Sequence, residues 1–223
     1  MKKHILLQNN MKIIDIYQKF GIPPNLGEHM LRVCSIVEYL EQHWKSDTKV
    51  DWKETKKIAL LHDLGNIVKF DFDKHPEFLG DEQKNVDHWR KKQAETIKKY
   101  GNDDHKATEA MLSELEIDDS SIKLILNKSF GNSIETVQSN NWILKILYYA
   151  DLRTLPFGIG SLTDRINDVR ERMPKYTNRP DFEDLVNACQ KIEEQLQQNL
   201  NISVNEINDK NVKIDASFLE LEI

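Results

Sequence analysis

Apolar residues recur every three or four positions over most of this chain, and the stretches they mark start and stop at recognisable caps. Leu26, Met30, Val33, Val37 and Leu40 form one such stripe, with the spacing of one face of an α-helix. Asn25 follows Pro23-Pro24 and precedes Glu28 by three positions, a capping-box arrangement that predicts the helix opens there. Asp51 and Glu54 repeat that signature for a second helix reaching about residue 64, where Gly65 predicts a C-terminal stop. A polar loop containing His75-Pro76 follows. Beyond it the pattern predicts helices over about 85–100, closed by Gly101, and over 105–115, capped by Asp104. Another starts at Asp118 or Asp119 and carries Ile122, Ile125 and Leu126; a strongly apolar one spans about 141–152. Ser161 with Asp164 opens the next, ending before Pro174, and Asp181 opens the last, to about residue 200.

The tail reads differently. Ile202-Ser203-Val204 and residues 218–223 alternate apolar with polar around the turn-forming run Asn208-Asp209-Lys210-Asn211, which predicts a short β-hairpin. The expected architecture is therefore an all-α helical bundle over residues 1–200 with a small C-terminal β-hairpin, residues 201–223, packed on the same domain.

Composition narrows the function classes. A chain of 223 residues with 39 % hydrophobic and 30 % charged residues suits one globular domain. A net charge of −6 argues against bulk binding of nucleic acid, but leaves room for a small phosphorylated substrate if a metal supplies local positive charge. Cys34 and Cys189 make neither a disulfide framework nor a Cys-x-x-Cys zinc pair, so a reducing cytoplasm is expected. The apolar stretch Ile5-Leu6-Leu7 is too short for a secretion signal. No apolar run reaches the ~18 residues that span a membrane, so no membrane partner is expected. The tail could close on its own domain or pair with a second copy, which makes a homodimer a candidate assembly.

Three segments carry candidate chemistry. In Leu60-Leu61-His62-Asp63-Leu64-Gly65 a histidine and an aspartate end an otherwise apolar helix segment. Neighbours on a helix point about 100° apart, so both reach one metal only if it sits in the groove beside the helix end; otherwise one of them faces solvent. Asp151 lies four residues after Leu147 and seven after Leu144, so it continues a buried stripe. A carboxylate there needs a cation, either an arginine such as Arg153 or Arg165 or a metal. His29 lies one turn before Val33 and is either a hydrogen-bonded core histidine or a ligand. Together the two imidazoles and two carboxylates suit a divalent ion such as Mn²⁺, Fe²⁺, Ni²⁺, Mg²⁺ or Zn²⁺, with coordination positions left for water and a phosphate oxygen.

This set resembles the HD-domain superfamily, in which a helix-borne His is followed by His-Asp at a helix end and by a distant Asp. The matching positions are His29, His62-Asp63 and Asp151. Gly21-Ile22-Pro23-Pro24-Asn25, the stretch from Trp89 to Tyr100-Gly101, Ala150-Asp151-Leu152-Arg153 and Ser161-Leu162-Thr163-Asp164-Arg165 extend the likeness, over about residues 20–172, to a prokaryotic subgroup. The resemblance implies a helical HD-domain bundle and a metal-dependent phosphohydrolase acting on a phosphomonoester or phosphodiester, such as a nucleotide, with Asp63 both ligand and catalytic group. The alternative it leaves open is a regulatory module that binds metal or nucleotide without turnover. It also implies further histidines for a second metal or for phosphate, for which His105 and His88 are the candidates; His4, His43 and His75 read as surface residues. Lys69, Arg153 and Arg165 are the candidate phosphate-binding cations. Asn66 stands where one common pattern has Lys, and Lys69 comes three residues later. Trp89 and Trp142 read as core.

Overall fold

The computed structural model describes residues 11–223, so His4 and the apolar stretch near the start lie outside the described residues. Helix α1 (Ile13–Phe20) buries Ile13, Ile16, Tyr17 and Phe20 and stops at Gly21. That glycine takes φ +63°, a left-handed conformation that needs no Cβ, and its N–H returns to the Gln18 and Tyr17 carbonyls. Helix α2 (Pro24–Gln42) starts one residue before the expected cap. Pro24 has no N–H to leave unpaired and takes the first position, which puts Asn25 inside the first turn. Helix α3 (Trp52–Leu61) is capped by Asp51 through the Glu54 N–H, as its sequence predicts.

Next come α4 (Val86–Tyr100), α5 (Asp104–Glu114), capped by Asp103 rather than Asp104, and α6 (Asp119–Asn127), capped by Asp118. Helices α7 (Ser133–Gln138) and α8 (Trp142–Arg153) follow, then α9 (Leu162–Arg172), α10 (Pro174–Thr177) and α11 (Phe182–Asn199). Ser161 and Asp164 close the capping box expected at the start of α9. The His75-Pro76 loop is not bare coil: residues Pro76–Asn85 wind as 3₁₀ turns broken at Gly80.

Helices α2, α3 and α8 pack on one another at the centre, and α11 lies against α7 and α8. Met30, Ile36, Leu60, Leu61, Tyr148 and Tyr149 are fully buried there. A smaller cluster joins Ile67, Val68, Phe72 and Leu79 to Trp89 and Ala107. Trp89 is therefore core, its Nε1–H donating to Glu82 at 3.0 Å. Trp142 packs edge-on against Trp44.

The all-α expectation holds, but the hairpin is elsewhere. Among the described residues the paired strands are β1 (Thr154–Leu155) and β2 (Gly158–Ile159), antiparallel, with Thr154 opposite Ile159. The tail expected as a hairpin instead forms 3₁₀ turns at Val204–Glu206 and Ala216–Glu220, capped by Ser203 and Asp215. Its alternation misleads because Ile207, Val212 and Phe218 each plug separately into the core, while among the described residues its one β-bridge is that of Glu222 with Lys12. The tail also pins β2, since the Ile159 N–H donates to the Asp209 carboxylate. Among the described residues no helix is long and apolar enough to cross a membrane.

Candidate metal centre

Three packed helices bring the four expected ligands together. His29 lies on α2, His62 and Asp63 in the turn that ends α3, and Asp151 in the last turn of α8. The turn after α3 is held close to α5 by Gly65. Its φ of −83° is ordinary, so the expected role as a left-handed stop gives way to a steric one. A Cβ there would lie 2.5 Å from the Thr108 nitrogen and 2.8 Å from the Asp104 carbonyl oxygen, and the Gly65 N–H donates to Thr108 Oγ1 at 3.0 Å.

The ligand atoms converge. His29 Nε2 lies 3.2 Å from His62 Nε2, 3.5 Å from Asp63 Oδ2 and 3.2 Å from Asp151 Oδ1. His62 Nε2 is 3.6 Å from each of those carboxylate oxygens. Donor atoms held about 2.1 Å from one ion stand about 3.0–3.4 Å apart when adjacent in an octahedral or tetrahedral shell, so the edges among His29, His62 and Asp151, whose donor atoms all lie within 4.8 Å of one another, fit one divalent ion, and Asp63 borders that set through the imidazoles. The chemistry fits as well. His62 Nδ1 lies 2.7 Å from the Ala59 carbonyl oxygen and donates there, so in the neutral ring Nε2 is the lone pair turned into the cluster. Burial pushes the His29 imidazole below its usual range, against the pull of Asp151 and Asp63, which favours the neutral, ligating form.

Sequence reasoning missed a fifth member. Lys128, just beyond α6, places Nζ 2.9 Å from Asp63 Oδ1 and 3.0 Å from Asp151 Oδ2. Burial is the largest single effect and would raise both carboxyls, but the Lys128 ammonium and the neighbouring imidazoles together outweigh it and hold Asp63 and Asp151 below the usual carboxylate range. The same two carboxylates keep Lys128 protonated despite burial, its pKa raised above the ordinary value. A signal was available: Lys128 falls three residues after the buried Ile125 and six after Ile122, just as Asp151 continues the stripe of α8.

The cluster opens into a cavity of about 520 Å³. Lys69, His105 and Arg165, all expected site residues, line it. Lys69 is paired with Asp104 at 2.7 Å, and Arg165 with Asp168 at 2.9 Å. Arg172, Lys175, Tyr176 and His75 also line it, and none of them was singled out from the sequence for this role. His75 was expected on the surface; it is half-buried at the cavity, with Nδ1 3.1 Å from Glu77. His43 sits against Asn201, Nδ1 to Oδ1 3.0 Å.

Two expected residues lie away from the site. His88 is exposed on α4, edge-on to the Trp89 ring and outside the cavity lining. Arg153 is 3 % exposed and also absent from that lining. Its guanidinium donates to Tyr149 Oη, Gly160 O, Val204 O and Ile207 O, which commits it to anchoring the tail rather than to phosphate. Sequence placed it two residues after Asp151, but residues two apart on a helix point about 200° from one another.

Comparison with known families agrees with this geometry. The family model described as HD domain matches residues 26–154, a span that contains all four candidate ligands and Lys128, and the chain belongs to that family. HD domains bind divalent metals and most members are hydrolases. No curated protein and no solved structure gives a significant match to the chain.

Proposed function

We propose that this protein is a metal-dependent phosphohydrolase acting on a phosphomonoester or phosphodiester of about nucleotide size. The observation that carries this reading is the convergence of His29, His62, Asp63 and Asp151 in a cavity that also presents cationic side chains. A bound divalent ion would polarise a phosphoryl oxygen and lower the pKa of a bound water.

The chain's own residues divide the remaining work. Asp63 and Asp151 would supply the negative charge that holds the cation, and Asp63 is assigned the further role of orienting a water. Arg165 and Arg172 share one carboxylate, Asp168, so two positive charges less one negative leave a net charge of +1 on that wall. Lys175 from α10 adds a further cation there. Guanidinium forks bind phosphate oxygens in pairs, which supports Arg165 and Arg172 as holders of a phosphate. Lys69 and His105 contribute from the segments on the α5 side. Phe70, Phe72, Phe130 and Tyr176 offer aromatic lining to the same cavity, suited to a base or another flat apolar group.

The purified chain loaded with Mn²⁺ or Ni²⁺ is expected to release inorganic phosphate, or open a diester, on some member of a panel of nucleotides and simple phosphate esters. Full metal occupancy with no turnover across that panel overturns the reading.

A further inference from the structure

Each carboxylate of the centre divides its two oxygens in the same way. Asp63 turns Oδ2 to the two imidazoles and Oδ1 to Lys128. Asp151 turns Oδ1 to the imidazoles and Oδ2 to Lys128. The ammonium thus bridges the two carboxylates on the side away from the histidines, with 14 % of its side chain exposed. In two-ion hydrolytic centres a second cation shares the groups of the first and clamps the reacting oxygens. Here that bridging position is filled by a covalently tethered cation.

Among the described residues no second cluster of metal-ligating side chains gathers beside the first, and Asp104, which lines the cavity, is paired with Lys69. His88 is outside the cavity, His105 is exposed, and His75 faces Glu77. Charge points the same way. Asp63 and Asp151 contribute two negative charges and Lys128 one positive, so one divalent ion turns a net −1 into +1, and a second would raise it to +3.

We propose that Lys128 is the second cation of this site. It makes the centre a one-ion centre, keeps each carboxylate turning a single oxygen toward the histidines, and lowers the affinity for the ion it stands beside. Lys128 is in this sense a positioning residue. The inference rests on the metal-binding part of the proposed function and not on turnover.

Mn²⁺ titrated into the full chain, read by calorimetry and by the spin-resonance signal of free ion, tests it alongside thermal melts in chelator. The wild type is expected to bind one Mn²⁺ per chain. Lys128→Met is expected to bind Mn²⁺ roughly tenfold more tightly, since a like charge beside the site is gone. In chelator the same variant is expected to melt at least about 5 °C lower, because two buried carboxylates lose their cation, and to recover more than the wild type on adding Mn²⁺. Lys128→Arg is expected to keep the single ion and most of the metal-free stability. Two ions per wild-type chain overturn the proposal, as does a Lys128→Met variant with unchanged affinity and unchanged melting in chelator. If Lys128→Met does not fold, the wild-type ion count and the Lys128→Arg variant decide. A wild type that binds no Mn²⁺ overturns the metal reading itself, a result distinct from either of the others.

Discussion

A carboxylate at the end of an apolar stripe declares its need for a cation, and Asp151 was legible in the sequence for that reason. The same argument applies to Lys128, whose stripe is shorter and whose partners lie 65 and 23 residues away in the sequence (128 less 63, and 151 less 128). Sequence shows that a buried charge needs an opposite one, but not which. His105 and Lys69 line the cavity; Arg153 and His88 do not, because a helix turns about 100° per residue and only the fold says which direction is inward. Asp151→Asn keeps the size of the side chain and removes its charge. It is expected to weaken Mn²⁺ binding by more than about 100-fold, beyond the usual effect of losing an outer partner. Calorimetry and atomic absorption of the purified variant check this, with circular dichroism to show that the helices persist.

Helix starts were the most readable elements, because caps are local. Asp51, Asp118 and Ser161 accept hydrogen bonds from the N–H groups their sequence contexts predict, and Asn141, read only as the start of its helix, caps α8 through the Leu144 N–H. Gly65 was visible, but its reason was not, since close approach to α5 is a property of two elements. Gly65→Ala must push the Asp63 turn away from α5. A loss of about 1–3 kcal/mol is expected, the range for overpacking, measured by denaturant unfolding, together with weaker Mn²⁺ binding because the displaced turn carries two ligands.

A second inter-helix tie is Glu114 on α5, which accepts from Lys99 at 2.8 Å and Tyr100 at 2.7 Å on α4 and faces Lys19 on α1 at 3.3 Å. The hydrogen bonds from Lys99 and Tyr100 pull its carboxyl from 4.5 down to about 2. A depressed folded-state value means the tie is fully present above about pH 4.5 and is lost as pH falls toward 2. Glu114→Gln is expected to cost about 1 kcal/mol or less near neutral pH, since the group is a third exposed. That difference from wild type is expected to shrink on acidification through the same window, as read from paired melts.

At the scale of the whole molecule, the tail is the part sequence described least well. Period-two alternation over three or six residues fits a strand and also fits a chain that drops single apolar residues into a core. Only the long-range partners distinguish them, here Arg153 for the carbonyls of Val204 and Ile207, and Ser35 Oγ for the Asp215 N–H. Arg153→Met is expected to destabilise by roughly 3 kcal/mol, the scale for breaking a buried charged network. Its effect on substrate affinity is expected to be small. Arg165→Met reverses the pattern, with a higher KM for any phosphate ester turned over and a nearly unchanged melting temperature. Denaturant unfolding and steady-state kinetics on both variants check this pair.

The tail also ends beside α1. The Ile223 N–H donates to the Met11 carbonyl, and the Ile13 N–H to the Leu221 carbonyl, both at about 3 Å. Residues 11 and 223 are thus near enough for a short linker, and residues 101–103 between α4 and α5 are exposed. A circular permutant joined at 223 and 11 and opened between Gly101 and Asn102 would present Lys128 and Asp151 before His29, His62 and Asp63 in its synthesis. If packing alone assembles the centre, that rearranged chain folds and holds the same ion.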